Sequence, residues 1–584
     1  MVEGDGYYYP DENAPDDIAP YREQEANPDK FVFEIGLVMA GAISAGSYTA
    51  GVLDYLFEAL DAWEKAKSDP TVPQHKVRIR VIAGASAGGM NAAIAAGALR
   101  YDFPHLRPGT DPATLNNPFY TAWVKAISID KLLEDNDLKQ SGIVTSLLDC
   151  SVLQQITDSA LSYTAPEINR PWLSDRVRYI FTQTSLRGIP YYVPMSGNSG
   201  SGMVMTLHKT WRSFSVEYPG QKAFKRRPDD VRLNASVIHK TSHADWAGLG
   251  NAALGSGAFP LALAPRAEDR MLSDLAWRFV VTYKSEKGES GIRQLQPAWP
   301  GKPQPPTSWK EYIVDGGMMD NEPLELARVE MAGLNNMNPR KGNQACRAVV
   351  MVDPFPQTSD ISSADPETPF MLLNCLKGLL PTAREQLRYN AEDLTLAMDE
   401  KVYSRFLIAP VRSENNSVLN VNDEAIACGS LGGFGGFLSE EYRHHDYMLG
   451  RRNCQQFLRA YFSLAIDNPL FEAGGHNAPI VGNGGEYPII PLVGSPPTEP
   501  LPVWPQRYIN LTELTDKIDE RAKKVVKTFF SAPKPEGASK KGRFLSWCLT
   551  RLLYVRQIRM KAIDPLMNYI KSDLRKRNLP FNES

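Results

Sequence analysis

The chain has 584 residues, enough for one large domain with elaborations or for two to three smaller ones. Its 43% hydrophobic and 22% charged residues are those of an ordinary globular protein. A net charge of −3 excludes the uniform basicity of a general nucleic-acid binder, so no nucleic-acid partner is expected.

In chain order, residues 1–30 are polar, acidic and proline-containing, the opposite of a secretory signal, and are expected to be extended. FEIGLVMAG (33–41) reads as a strand ending at glycine. SAGSYTAGVLDYLFEALDAWEKA (44–66) spaces Tyr48, Val52, Tyr55, Leu56 and Leu60 as a helix does. VRIRVIAGA (77–85) is a second strand, and AGGMNAAIAAGALR (87–100) a second helix of small residues. This strand–helix–strand–helix order predicts a mostly parallel sheet covered on both faces. The uncharged window at 81–99 is long, but it is mostly Ala and Gly and holds Ser86 and Asn91. It therefore reads as a buried strand and helix, and no membrane span is expected.

Further on, RVRYIFTQTS, KEYIVDGG and RAVVMVDPFP each read as a short strand running into a turn. LGSGAFPLALAP (254–265) reads as a helix end followed by a buried loop, and 440–465 as a long helix. MMDNEPLELARVEM suggests a helix beginning near Pro323, capped by Asp320 or Asn321. Residues 467–506 are rich in Pro and Gly and are expected to be irregular. From Lys517 to Ser584 there are 17 Lys and Arg against 6 Asp and Glu, a surplus of +11 that leaves −14 to the rest. Six cysteines (150, 346, 375, 428, 454 and 548) include no Cys-x-x-Cys pair, which suits a reducing, cytoplasmic compartment.

Chemistry concentrates at VIAGASAGGMNAA (81–93). Gly84-x-Ser86-x-Gly88, placed where a strand runs into a helix, is the pattern of a nucleophile elbow. A serine there stands at a strained turn at a helix N-terminus, where free N–H groups favour developing negative charge. At ~7% Gly and Ser a chain of this length gives about 0.2 chance matches, so the strand-before, helix-after context carries the reading.

The serine needs a base. One candidate is Asp315, at a strand end in YIVDGGMMDNEPL and followed by Gly316 and Gly317; burial would make its carboxylate a better base. The other is a Ser-His-Asp esterase in which His444 or His445 serves. Against it, only one strand–helix unit precedes the elbow strand, and the adjacent histidines are expected at the surface. His239 and His243, at i and i+4, have a spacing that can hold a metal, but a plain helix explains them and no metal is expected.

These residues resemble the patatin-like phospholipases, lipid acyl hydrolases that use a Ser–Asp dyad without histidine. LVMAGAISAGSYTAGVL (37–53) resembles the family's glycine-rich oxyanion turn, GASAG (84–88) its elbow, and DGG (315–317) its catalytic-aspartate segment. SGAFPLALAP (256–265) resembles its Ser-x-x-x-Pro stretch. The resemblance implies a three-layer α/β/α catalytic domain at 31–335, with Ser86 as nucleophile and Asp315 as base. It also implies an oxyanion hole from the backbone of Gly41, Ala42 and Ile43, and neither metal nor organic cofactor.

One departure is plain: the family's basic residue in the first motif is Ala45 here, and two glycines are replaced. Backbone N–H groups survive side-chain changes, but a need for φ > 0 at Ala42 or Ile43 would strain the isoleucine and favour a weakly active or scaffold protein. The remaining divisions are expected to be a continuation of the α/β core with helices at 336–466, an irregular segment at 467–510 and a basic helical tail at 511–584. In the tail, Phe544, Leu545, Trp547, Leu549, Leu552, Leu553 and Val555 stand among Arg551, Arg556, Arg559 and Lys561, the composition of an interfacial helix on an anionic membrane. A terminal helix packed on the core is the competing expectation. The expected partner is a lipid substrate.

Overall fold

A computed structural model describes residues 29–195, 202–219, 229–237, 240–282, 291–299, 307–334, 337–356, 402–415, 417–475, 485–493, 498–531 and 562–583. The quoted apolar and basic residues of the tail between Phe544 and Lys561, and His239, lie outside the described residues.

The elements that position the site begin with strand β1 (Val32–Met39), helix α1 (Gly46–Ala66), strand β2 (Lys76–Gly84) and helix α2 (Ala87–Ala98). Then come α3 (Ser151–Leu161), β3 (Leu173–Pro194), β4 (Gly202–Glu217), α4 (Ala244–Ser256), β5 (Arg266–Met271) and β6 (Ser308–Asp315). After these stand α5 (Leu324–Ala332), β7 (Arg347–Val352), β8 (Arg405–Ile408) and α6 (Glu440–Ala460), with α7 (Leu511–Ser531) and α8 (Asp564–Lys576) near the end.

The sheet runs β8-β7-β1-β2-β3-β6-β5. The first five strands are parallel, and β6 and β5 are antiparallel additions. Strands buried on both faces read as unbroken apolar runs, as VIAG and RAVVMV do. Alternate residues of β1 divide between the two faces: Phe33, Ile35, Leu37 and Met39 join the core under α1, α2 and α6, while Val38 joins Met331 and Ala327 of α5. The expected α/β architecture is therefore the one present.

Two expectations need correction. RVRYIFTQTS is not a short strand: it lies within the 22-residue β3, which pairs with β2 and then β6 along one edge and with β4 along the other from Val177 to Pro194. Asp320 and Asn321 do not cap α5, which starts after Pro323 without a side-chain cap. Both side chains turn elsewhere, as described below.

Helix α6 crosses α1 at two glycines; a Cβ at Gly51 would lie 1.9 Å from the Tyr447 carbonyl oxygen, and one at Gly450 2.1 Å from that of Tyr48. Beside this crossing the fully buried Arg451 pairs with Asp54, with Glu58 at 2.6 Å and with Glu499 at 2.7 Å. Burial alone would raise the Asp54 carboxyl, but Arg451 and His105 outweigh it and hold it well below the usual carboxylate range. Removing one partner from such a cluster leaves uncompensated buried charge, at a cost of about 3–5 kcal/mol. The late helix α6 is thus locked onto the early helix α1.

Candidate active site

The elbow is built from β2 and α2. Ser86, between them, has φ +51° and ψ −122°, a conformation side chains rarely adopt. The turn fits because its neighbours are bare: a Cβ at Gly88 would sit 2.1 Å from the Met39 carbonyl oxygen at the end of β1. Ser86 N–H donates to Ser256 Oγ, at the end of α4, at 3.0 Å. Its own Oγ donates to Asp315 Oδ2 at 2.7 Å.

Asp315 ends β6. Its N–H donates to the Ala258 carbonyl at 3.0 Å, and its carbonyl accepts from Thr184 Oγ1 of β3 at 2.8 Å. Its second carboxylate oxygen, Oδ1, accepts from Gly317 N–H at 2.7 Å. A Cβ at Gly316 would lie 2.2 Å from the Thr182 carbonyl oxygen, so the turn after the aspartate can lie against β3 only as glycine. Ser86 is 7% exposed and Asp315 3%, so the pair is almost wholly buried.

The turn after β1 approaches the elbow from the other side. Gly41 is close enough that a Cβ there would meet Ser86 Cβ at 3.1 Å and Asn321 Oδ1 at 2.4 Å. Gly41 N–H donates to the Asn321 carbonyl at 3.3 Å, whereas the N–H groups of Ala42 and Ile43 take no acceptor among the described residues. Ala42 has φ −143°, but Ile43 has φ +49°. A β-branched residue there costs roughly 1–3 kcal/mol and persists only where its surroundings impose it.

Those surroundings come from residues 427–438, a glycine-rich strap of two successive 3-10 turns. Ser44 Oγ donates to the Gly433 carbonyl at 2.5 Å and accepts from Gly436 N–H at 3.0 Å. The strap is itself fixed by two carboxylates. Asp446 of α6 accepts from the N–H groups of Ala427 and Cys428, both at 2.8 Å, and Asp573 of α8 accepts from Leu431 N–H at 2.8 Å.

Other residues singled out in the sequence fall in varied places. The adjacent histidines are not at the surface: His445 is buried and bonds Asp446, while His444 is half-buried with Nδ1 2.8 Å from Tyr120 Oη. Burial, then the neighbouring His445, lowers the His444 pKa. His243 is exposed at the start of α4. Asp320 pairs with Lys209 at 2.9 Å, and Asn321 wedges between Gly41 and Gly317, tying the turn after β1 to the aspartate turn. The loop after α4 is not wholly buried, because Leu261 is 80% exposed at φ +69°. Ser256 carries the one contact whose place the Ser-x-x-x-Pro stretch signals; nothing local marks Ser44 or the strap.

Residues 37–328 match the Patatin-like phospholipase family. The chain belongs to that family. An uncharacterized protein of Sinorhizobium fredii, y4iI, is 33% identical over 92% of this chain and 82% of its own length. A crystal structure of VipD from Legionella pneumophila aligns over 93% of this chain and 90% of its own at 11% identity, with a TM-score of 0.18, too low for any correspondence to be drawn. The patatin-like segment ends before the strap, α6 and α8 begin, so the bracing of the turn after β1 is supplied by chain outside the family's segment. The Sinorhizobium relative extends well past that segment.

Replacing Ser44 by Ala leaves the Gly433 carbonyl and Gly436 N–H without their shared hydroxyl. The expected cost is about 1–3 kcal/mol in unfolding by guanidinium. If the turn after β1 takes part in ester hydrolysis, turnover should fall by more than the remaining folded fraction explains. Unchanged turnover in a destabilised protein would separate the strap from the chemistry.

Proposed function

We propose that this chain is a lipid acyl hydrolase of the phospholipase A type working through a Ser86–Asp315 dyad. The observation that carries the reading is the 2.7 Å hydrogen bond from Ser86 Oγ to Asp315 Oδ2, made in a cleft where both groups are nearly buried. Asp315 accepts the hydroxyl proton as Oγ attacks the ester carbonyl, and returns it to the departing alcohol, leaving an acyl-enzyme that water then hydrolyses. Gly317 N–H on the far carboxylate oxygen keeps the near one turned to the serine. Ala42 and Ile43 supply uncommitted N–H donors for the oxyanion, Gly41 supplies the close approach, and the N-terminus of α2 adds its dipole. The scheme uses no metal and no organic cofactor.

The triad alternative finds less support, because His444 is engaged by Tyr120 and His445 by Asp446. Contact with a membrane surface is part of the proposal. No helix among the described residues is long and apolar enough to cross a membrane. In the tail, α8 buries Met567, Ile570 and Leu574, which fits the packing expectation for that portion. One group of exposed apolar residues stands in the loop after α4: Leu261, five residues after Ser256, with Leu147, whose N–H donates to the Leu261 carbonyl at 2.8 Å, and Ile143.

Ser86→Ala and Asp315→Asn should each lower release of fatty acid from a short-chain ester by roughly a thousandfold or more. His444→Ala and His445→Ala should retain turnover in proportion to folded protein, and excess chelator should leave it unchanged. A histidine variant as inactive as Ser86→Ala while still folded would replace the dyad by a triad. For the surface, Leu261→Glu should reduce co-sedimentation with phospholipid vesicles, and hydrolysis of vesicle substrate more than of a dissolved ester. Equal binding by the variant would remove that tip from the membrane contact.

A further inference from the structure

Away from Ser86 and Asp315, neither of which borders it, a cavity of about 200 Å³ opens where several late parts of the chain meet. Arg412 and Asn420 line it from the hairpin of strands Val411–Glu414 and Ser417–Val421, on which the two are cross-strand partners. Glu424 lines it from the turn at Asn422–Ala425, and Trp504 from the segment before α7. Lys576, Arg577 and Asn578 close it from the end of α8.

The lining is polar, with three cations against one carboxylate, Glu424. Arg412 is half-buried, its guanidinium 4.8 Å from the centre of the Trp504 ring. It makes no hydrogen bond and no ion pair among the described residues, and its Nε is buried without an acceptor. Burial lowers the Arg412 pKa, against the pull of Asp446 and Glu414. Lys576 is exposed at the rim and likewise forms no ion pair among the described residues. Arg577 is already committed, to the Asp423 carbonyl at 2.5 Å and the Asp423 carboxylate at 2.8 Å. Trp504 Nε1 is spent on the Arg577 carbonyl at 3.2 Å. The open donors are therefore Arg412 and Lys576, on opposite sides of one small cavity.

We propose that this cavity binds a small phosphate monoester that carries hydroxyls, its phosphate held by Arg412 and Lys576. A carboxylate fills one guanidinium fork and no more. A phosphate monoester brings three oxygens and close to two negative charges at neutral pH, enough for the fork, the ammonium and a neighbouring asparagine amide together. Glu424 repels the phosphate but accepts hydrogen bonds from hydroxyls, which places the polyol end of the ligand beside it. The volume admits such a molecule and no macromolecular segment.

The site backs onto the strap. A Cβ at Gly429 would lie 2.4 Å from the Asp423 carbonyl oxygen and 3.1 Å from Arg577 Nη1, and Asp573, one turn earlier on α8, holds Leu431 N–H. A ligand joining the hairpin to α8 thus sits on the outer support of the turn after β1.

Inorganic phosphate and glycerol 3-phosphate are titrated calorimetrically into the full-length protein at low salt. Vesicles of phosphatidic acid, whose headgroup is a monoester, form a second arm, with phosphatidylglycerol as the anionic diester control. One saturable site should appear, tighter for glycerol 3-phosphate than for inorganic phosphate. Arg412→Gln should weaken both by about tenfold or more and Lys576→Ala by roughly threefold, whereas Glu424→Gln should tighten inorganic phosphate. A loosened fold weakens every variant and cannot produce that opposite shift. Binding to phosphatidic acid over phosphatidylglycerol, lost in Arg412→Gln, would make the source a lipid headgroup; binding of the soluble ester alone would make it a free phosphate ester. No saturable binding of either probe or of the vesicles, or affinities untouched by all three substitutions, would overturn the site. None of these readouts depends on Ser86 or Asp315, so their failure leaves the hydrolase reading intact.

Discussion

A serine at φ +51° between a strand end and a helix start is kept there by its surroundings rather than by its own preference. Three contacts impose the conformation on Ser86: its N–H on Ser256, its Oγ on Asp315, and the close seating of Gly88 on the end of β1. Each comes from a different element of the fold. The parallel order β1-β2-β3, extended by the antiparallel β6, brings the ends carrying Gly41, Ser86 and Asp315 to one edge, while α4 arrives from the side with Ser256. Sheet topology thus sets the distances on which the proposed chemistry depends.

A second strained residue, Ile43, makes the later part of the chain necessary to the earlier part. Families that place glycine at such a turn need little external support; an isoleucine at φ +49° needs a frame. The strap at 427–438 supplies it through Ser44, and the strap is in turn held by Asp446 and Asp573. The buried cluster of Arg451 with Asp54, Glu58 and Glu499 ties α6, which carries Asp446, to α1, which follows the turn. The positive φ that the sequence analysis set against Ile43 is thus present, and the strap is what holds the isoleucine in it.

Much of this was legible in the sequence where the cause is local. A glycine pair around a serine, at a change from β-rich to Ala-rich residues, announces a strand–turn–helix; Asp-Gly-Gly after an apolar run announces a strand end with room beside it. The serine and the aspartate that the structure brings within 2.7 Å of each other could be named because both signals are short. The strap could not, because Ser44 and Gly433 are 389 residues apart and neither has an unusual neighbourhood. Likewise, the burial of His445 follows from Trp504 and Asp446 packing around it, not from the polar EEYRHHDY pattern. The small residues of α2 read as close packing against the sheet. Only the placement of α3 and Trp123 turns Met90, Ala93 and Ile94 into the lining of a small apolar cavity. The exposed Leu261 was hidden by its apolar neighbours, which suggested a buried loop.

The central claim is that Ser86 is a nucleophile activated by Asp315. Reaction of the full-length protein with a fluorophosphonate, followed by peptide mapping of the adduct, tests it most directly. The account predicts a single phosphonylated residue, Ser86, with labelling abolished in Ser86→Ala and slowed severely in folded Asp315→Asn. No labelling of the native protein, or labelling at another serine that survives Ser86→Ala, would contradict it.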